Sequence, residues 1–585
     1  MKYSIIPSSQ TVVYHCKARG IKNIIISPGS RNAPLTIGFT EDPYFNCFSI
    51  VDERCAAFFA MGIAQQLKEP TVVLCTSGSA LLNYYPAISE AFYSDIPLVV
   101  ISADRPPYKV DIGDGQTIRQ EDVFKNHIAF SANLKLDVSH ATEKVLKYDA
   151  PNLSGRNIDE AQLAVQEFND TVLDKALNLV CNQNSPIHIN VPFEEPLYEV
   201  ATEPTLTPKV NFKNEESREL DSEYLHACIE VWNRAKRKIV LVGVNSPNTV
   251  DQKYLELLAM DPSVIVLTEC TSNLHHPNFF PSIDSIIAPI EKSPKKEELF
   301  KELQPEVVLT FGGLIVSKKI KAYLREYSPT YHWHIDVQKA PNTFFSLTHH
   351  FKTDPNTFFG KLLNKSLVSK SAYQQYWSKA KEHYINRREQ YMKEIPFSDM
   401  LAFNHLMGSV PNNYQLQLGN SSAIRYAQLF DLDSSVSVFC NRGTSGIDGS
   451  TSTAIGAALY AEAPTLLISG DLSFLYDSNA LWIKYIRPDF RIIVINNSGG
   501  GIFRILPGKE KSDNFETFFE TTHQIDLSQI AKTYNFDFIS VADETSLESE
   551  LDQFYAKSHR PKIMEIKTPR LLNDEILLGY FDFIY

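Results

Sequence analysis

In the first and last thirds of the chain, nearly every apolar run of strand length stops at a small, polar or glycine-rich motif. A helix-length segment then separates it from the next run. "NIIIS" leads into "SPGSR" (27–31), "FSIV" into "DER" (52–54), "TVVLC" into "TSGS" (76–79) and "PLVVIS" into "ADRP" (103–106). The rhythm returns later with "GNSSAIR" (419–425), "CNRGTSGIDG" (440–449), "GDLS" (470–473) and "NNSGG" (496–500). Strands spaced by helices give βαβ units and a parallel sheet. Open parallel sheets bind ligands beyond the carboxyl ends of their strands. Glycine and small hydroxyl residues there let backbone N–H groups approach an anion. One such turn is an ordinary loop, whereas the repeated pattern in two regions predicts two binding faces.

Between them lies a third α/β pattern: "KIVLVGV", "SVIVLTE", "EVVLTFGG" and "TYHWHID". The prediction is three successive parallel-sheet α/β domains, over 1–195, 210–355 and 385–585. A Pro- and charge-rich linker spans 194–220, and a polar helical stretch occupies roughly 365–395. The middle domain lacks G-x-G-x-x-G, so a dinucleotide site there is unsupported and most of it reads as structural. Lys318 and Lys319 are the exception, because they follow a strand end.

The net charge of −13 argues against a nucleic-acid surface but leaves room for a local basic pocket. The eight cysteines are scattered, with no CxxC pair and no zinc spacing, and predict buried thiols in a reducing cytoplasm. No apolar run approaches the ~18–20 residues that span a membrane, and the start has no signal-like apolar core. A soluble, cytoplasmic protein without membrane insertion is expected.

"FSIVDERCAAFFAMGIAQ" (48–65) places Glu53 at the mouth of a dry, helix-forming segment. A carboxylate in a helix's first turn is favoured by the dipole alone. In an apolar setting the same carboxyl has a raised pKa and can hold and exchange a proton near neutral pH. Asp52 and Arg54 read as helix-start neighbours.

The most specific segment is "PTLLISGDLSFLYDSNALWIKYIRPDFRIIVINNSGGGIF". It reads strand, Gly470-Asp471, helix, strand, Asn496-Asn497, Gly499. A right-handed crossover sets the two strand ends side by side. The Asp471 carboxylate, the Asn497 amide oxygen and the Gly499 carbonyl form a hard-oxygen set suited to Mg²⁺ (or Mn²⁺) with diphosphate oxygens. The intervening helix N-terminus favours the same anion.

This Gly-Asp and Asn-Asn-x-Gly pattern resembles the fingerprint of thiamine diphosphate enzymes. The whole chain resembles their decarboxylase and carboligase branch, with pyrimidine-binding, central and diphosphate-binding domains in that order. Leu472 stands where many members have a glycine. "GDLSFLYDSNAL", "SPGSRNAPL", "DERCAAFFAMGIA", "TSGSALLNYYPAISEA", "ADRP", "NRGTSGIDGSTSTAIGAA" and "NNSGGGIFRILP" are together similar to one family in that branch, the 2-succinyl-5-enolpyruvyl-6-hydroxy-3-cyclohexene-1-carboxylate synthases of menaquinone biosynthesis.

The resemblance implies thiamine diphosphate with Mg²⁺ or Mn²⁺, 2-oxoglutarate as donor and isochorismate as acceptor. It implies that Glu53 hydrogen-bonds pyrimidine N1′, so that the cofactor's own amino group can remove its C2 proton. It places Ser421 and Arg425 near the succinyl-type intermediate, and Ser30, Arg31, Arg105, Gln116, Lys319 and Arg442 among the other substrate contacts, with Arg31, Arg105, Gln116 and Lys319 toward isochorismate. Arginine forks suit such dianions. Cofactor contacts implied are Pro28, Thr76, Ser77, Gly78, Ser445, Gly470, Asp471, Leu472, Ser473, Asn497, Gly499, Gly500, Ile502 and Phe503, with Ile447 as the apolar residue over which the cofactor bends. Phe503 and Leu506 would wall the pocket. Lys319 stands where some members carry arginine, and Gly115 replaces a side-chain amide. The resemblance also implies a homodimer or tetramer with shared active sites. The alternative reading is another thiamine diphosphate-dependent 2-oxo acid decarboxylase or carboligase.

Overall fold

Val-, Ile- and Leu-rich runs that are buried on both faces pair in parallel, and three sheets form where those runs lie. The computed structural model describes residues 2–149, 157–213, 222–505 and 513–585. The first sheet sets Asn46–Ser49, Asn23–Ile26, Thr71–Cys75, Leu98–Asp104, Ile187–Pro192 and Phe130–Asn133 side by side, all parallel. The last sheet sets Ser437–Cys440, Gln415–Leu418, Thr465–Gly470, Arg491–Asn496, Lys562–Lys567 and Asp537–Val541 side by side, again parallel. Numbered within each sheet in chain order, both read 2-1-3-4-6-5. The central sheet reads 2-1-3-4-5, with Val264–Leu267, Lys238–Val242, Val307–Phe311, Tyr331–Ile335 and Leu347–Phe351. Besides the two-residue antiparallel pair Tyr3–Ser4 and Val200–Ala201, three strands of these sheets escape the sequence reading: Phe130–Asn133, Leu347–Phe351 and Asp537–Val541. All three are edge strands, only partly buried, and too short of apolar residues to stand out.

In each sheet the strand order reverses between the first and third strands, and that is where such sheets open a crevice. In the first sheet the crevice lies at the "SPGSR" and "TSGS" turns, and in the last at "GNSSAIR" and "GDLS". In the central sheet main chain fills it. A Cβ on Gly243 would lie 2.0 Å from the Gly313 carbonyl oxygen. Gly243 N–H donates to Phe311 (3.0 Å) and Gly313 N–H to Val244 (2.7 Å).

The three sheets fall into two compact units. The first holds the described residues before 214 together with 443–462 and 476–487; the second holds the rest. Within the first unit the helix Glu53–Leu67 buries every residue from Cys55 to Ala64. Its partner is the helix Ser450–Ala458, and the two touch main chain to main chain. A Cβ on Gly62 would lie 2.1 Å from the Thr453 carbonyl oxygen, and one on Gly456 2.1 Å from that of Phe59.

The start of the Glu53 helix is fixed by its two charged neighbours. Asp52 caps it, accepting the Cys55 N–H (3.0 Å) and the Asn479 side-chain amide (2.8 Å). Arg54 donates to the Tyr476 carbonyl (2.7 Å) and lies over that tyrosine's ring. Asp477, fully buried, accepts the Ser452 N–H (2.7 Å) and hydroxyl (2.9 Å). Burial pushes its carboxyl up to about 6.

All eight cysteines are free thiols, and Cys181 is exposed rather than buried. Among the described residues no helix is long and apolar enough to cross a membrane. The helix crossing makes a signed prediction. Alanine is ordinarily the better helix former, yet Gly62→Ala is expected to destabilise the protein by about 1–3 kcal/mol through overpacking, read from urea unfolding.

Candidate active site

In the first unit, the turns that follow Asn23–Ile26 and Thr71–Cys75 line a cavity of about 300 Å³. Pro28, Gly29, Ser30, Thr76, Ser77, Ser79 and Asn83 form its wall, joined by Glu53 and Gln116. Glu53 is the first residue of its helix and is half-buried. Burial raises its carboxyl above the ordinary range, and the charge of Asp52 adds to the shift. Thr76 Oγ1 and Ser77 Oγ are buried without a hydrogen-bond partner among the described residues. Each such group costs about 1–3 kcal/mol, and a polar ligand in the cavity would satisfy both.

Gly78 has φ +89°, a conformation glycine adopts freely. Its N–H donates to Gln120 Oε1 (2.8 Å). Gln120 Nε2 in turn reaches Ser102 Oγ (3.2 Å), the Ala103 carbonyl (3.2 Å) and Asn190 Oδ1 (2.8 Å). This buried glutamine ties the "TSGS" turn to two neighbouring strands, and nothing in "DIGDGQTIRQ" (111–120) distinguishes it from the polar residues around it.

Two arginines converge in the same unit. Buried Arg31 donates from Nη1 to the Phe193 carbonyl (3.0 Å) and from Nη2 to Glu195 Oε1 (2.9 Å). Arg105 Nη1 lies 3.9 Å from that oxygen, and its Nη2 donates to the Gly115 carbonyl (3.0 Å). Gly115 therefore contributes its main chain where a side-chain amide was expected. Burial, with the charge of Arg105, pushes the Arg31 pKa down, while Glu195 opposes the shift. Their contact carboxylate, Glu195, is 51% exposed, and the charges of both also act on buried Asp104. Two guanidinium forks at one exposed carboxylate suit an anionic ligand.

The 443–449 loop also belongs to this unit. Buried Glu90 accepts the N–H groups of Gly443 (2.6 Å) and Thr444 (2.7 Å), the Thr444 hydroxyl (2.9 Å) and the Ser94 hydroxyl (2.8 Å). The loop presents Ser445 at φ +61° and Ile447 at 38% exposure. Ile447 does not line the Glu53 cavity.

In the second unit, Gly470 pairs in register with Ile495, so the two predicted strand ends do lie together. Asp471 is buried, and its Oδ1 accepts the Leu472 N–H (2.7 Å). Its Oδ2 accepts the Gly499 N–H (2.9 Å) and lies 3.1 Å from His523 Nε2. That bond raises the His523 pKa. Asn497 donates from Nδ2 to Asp399 Oδ2 (3.0 Å), which leaves its Oδ1 as the atom for another ligand. Asp399 is buried and also accepts the Thr568 hydroxyl (2.6 Å). Its carboxyl is pushed up to about 6 by burial, with the charge of Asp471 adding. Neither Asp399 nor His523 carries a local sequence signal.

Ser473 is buried, and Leu472, Gly500, Ile502 and Phe503 are partly buried around the same turn. Gly500 N–H donates to the Glu520 carbonyl (2.6 Å). Leu506 lies outside the described residues. Ser421 precedes the helix Ser422–Ala427 at φ +70°. Arg425, on that helix, has a buried Nε without a partner among the described residues. Its pKa is lowered by burial and by Arg442, against the pull of Asp284. Arg442 is buried and donates to Asn420 Oδ1 (2.7 Å). Lys319 is ion-paired with Glu291 and lies 5.2 Å from the Phe581 ring centroid.

Two family profiles match the chain. One, "Thiamine pyrophosphate enzyme, N-terminal TPP binding domain", covers residues 8–129; the other, "Thiamine pyrophosphate enzyme, C-terminal TPP binding domain", covers 419–566. A relative from Christiangramia forsetii, named 2-succinyl-5-enolpyruvyl-6-hydroxy-3-cyclohexene-1-carboxylate synthase, is 54% identical over 100% of both chains. Proteins of the same name from Flavobacterium johnsoniae and Porphyromonas gingivalis are 51% and 34% identical. They match over 99% of both chains and over 97% of this chain and 95% of the other, respectively.

The Glu90 contacts predict the behaviour of the 443–449 loop. Glu90→Gln replaces one acceptor oxygen with an amide donor. Hydrogen bonds to a charged acceptor contribute about 1.5–3 kcal/mol, so amide exchange at Gly443 and Thr444 should accelerate about tenfold or more by hydrogen–deuterium exchange.

Proposed function

The chain belongs to the family of 2-succinyl-5-enolpyruvyl-6-hydroxy-3-cyclohexene-1-carboxylate synthases, thiamine diphosphate enzymes of menaquinone biosynthesis, and from that premise we propose that it joins 2-oxoglutarate to isochorismate with loss of CO₂. The observation that carries this reading is the Glu53 cavity, with its raised carboxyl and two buried, unpartnered hydroxyls. Bound thiamine diphosphate supplies the electron sink that decarboxylation of a 2-oxo acid needs.

The chain's own residues then bind, orient and exclude water. Glu53 holds and exchanges a proton at pyrimidine N1′. Burial keeps it protonatable, because desolvation disfavours the carboxylate. Pro28, Thr76, Ser77 and Gly78 receive the pyrimidine, and Ser445 and Ile447 shape the cofactor's bend. Gly470, Leu472, Ser473, Gly500, Ile502 and Phe503 surround its other end. Asp471, Asn497 and the Gly499 carbonyl would hold Mg²⁺ or Mn²⁺. The donor set fits a hard cation, since the Asn497 amide nitrogen is already committed to Asp399 and its oxygen is left for the metal.

Arg31 and Arg105, with Ser30, Gln116 and Lys319, are assigned to the carboxylates of isochorismate. Ser421, Arg425 and Arg442 are assigned to the donor side. The half-buried Arg425 beside buried Arg442, and the two guanidiniums on one shared carboxylate, are what support these assignments. We further propose a homo-oligomer, dimer or tetramer, with shared sites, working in the cytoplasm. Exposed Val51, Leu82, Tyr93 and Trp482 on the first unit supply apolar surface for such an interface.

Isochorismate plus 2-oxoglutarate, with thiamine diphosphate and Mg²⁺, should release CO₂ and form the adduct by mass spectrometry. Turnover of pyruvate with none of 2-oxoglutarate would instead place the chain with other carboligases. Chelation of the divalent ion should abolish turnover and readdition restore it. Glu53→Gln should still bind the cofactor, by calorimetry, yet lose about 10²-fold or more in kcat, the scale of a general acid–base contribution.

A further inference from the structure

Glu269 lies just past Val264–Leu267, an edge strand of the middle sheet, and is 4% exposed. Its Oε1 accepts the N–H groups of Val316 (2.9 Å) and Ser317 (2.7 Å), and its Oε2 accepts Val316 again (2.8 Å). Its own N–H donates to Ser272 Oγ (2.9 Å), whose hydroxyl donates to the Val242 carbonyl (2.7 Å). The carboxylate is thus anchored to the central sheet on one side and grips a loop on the other.

That loop opens the helix Lys318–Glu326. Ser317 caps the helix through the Ile320 N–H (3.2 Å), and its hydroxyl also donates to partly buried Asp284. The charged groups that act on Glu269 come from four other places: Asp284 on Ile283–Lys292, Lys321 on the helix it grips, Arg425 on Ser422–Ala427, and Arg442 beyond Ser437–Cys440. The central sheet therefore places a buried carboxyl, pushed up to about 7 by burial, near the arginines, and in the same stroke sets the helix that carries Lys319.

We propose that Glu269 is a positioning residue for substrate binding: a main-chain clamp that holds the start of the Lys318–Glu326 helix, and with it Lys319. The inference rests on the reading that Lys319 meets a substrate carboxylate. It gives the central domain, whose own crevice is filled by main chain, a part in recognition.

Glutamine weakens the clamp, because with its oxygen in the Oε1 position its amide nitrogen would face the Val316 N–H. In the full-length protein, Glu269→Gln should accelerate amide exchange at Val316 and Ser317 about tenfold or more. With thiamine diphosphate and Mg²⁺ loaded, its KM for isochorismate should rise about tenfold while kcat and cofactor affinity stay within about threefold, the split expected for lost ground-state binding. Ser317→Ala, which removes the cap and leaves Glu269 in place, should shift KM in the same direction and serves if the first variant does not fold. In a double-mutant cycle, Glu269→Gln and Lys319→Ala should be less than additive on KM. Unchanged exchange at 316–317, full additivity, or a rise in KM that comes only with lowered cofactor affinity and melting temperature would overturn the proposal. A wild-type protein inert toward isochorismate whose Glu269→Gln variant still shows the predicted exchange would sink the assigned reaction and leave the clamp standing.

Discussion

The contact between the helices Glu53–Leu67 and Ser450–Ala458 sets the terms for the first unit. Gly62 and Gly456 let the two main chains meet with no side chain between them. The crossing lies within the buried stretch Cys55–Ala64, and half-buried Glu53 sits at the N-terminal end of the same helix. The same approach brings Cys55 within 3.6 Å of Asp477, whose other contacts hold Ser452 at the start of the second helix. Burial of the segment that follows Glu53 is thus a product of backbone geometry as well as of its apolar side chains.

Charge in this protein is arranged locally against its overall sign. The chain carries a net −13, yet Arg31 and Arg105 share one half-exposed carboxylate, and Arg425 sits near Arg442. Burying like charges together is unfavourable unless a counter-ion arrives. Asp284 and Glu269 moderate the second cluster, and both of their carboxylates already accept hydrogen bonds from a hydroxyl or main chain. The Thr76 and Ser77 hydroxyls are the neutral counterpart of the same idea: buried polar groups without a partner among the described residues.

How much of this could be read beforehand depended on whether a signal was local. Strand ends announce themselves, because an apolar run stops and glycine or serine begins. That made the "SPGSR" and "TSGS" turns legible, along with the pairing of Gly470 beside Ile495. Asp52 and Arg54 had no visible purpose in the sequence, because the residues they hold, Asn479 and Tyr476, lie more than four hundred positions away. Gln120, Asp399 and Glu269 were hidden for the same reason. Each acts by grasping a distant turn, and a single buried polar residue leaves no periodicity. The edge strands were missed because an edge need not be apolar on both faces.

The central sheet shares the strand order that opens crevices in its neighbours, yet its own is stopped by Gly243 against Gly313. The stopper consists of peptide atoms, so no choice of side chain can remove it. Laboratory evolution by point substitution could retune the pockets of the other two sheets almost indefinitely. To awaken a binding site in this one, the loop itself would have to change length.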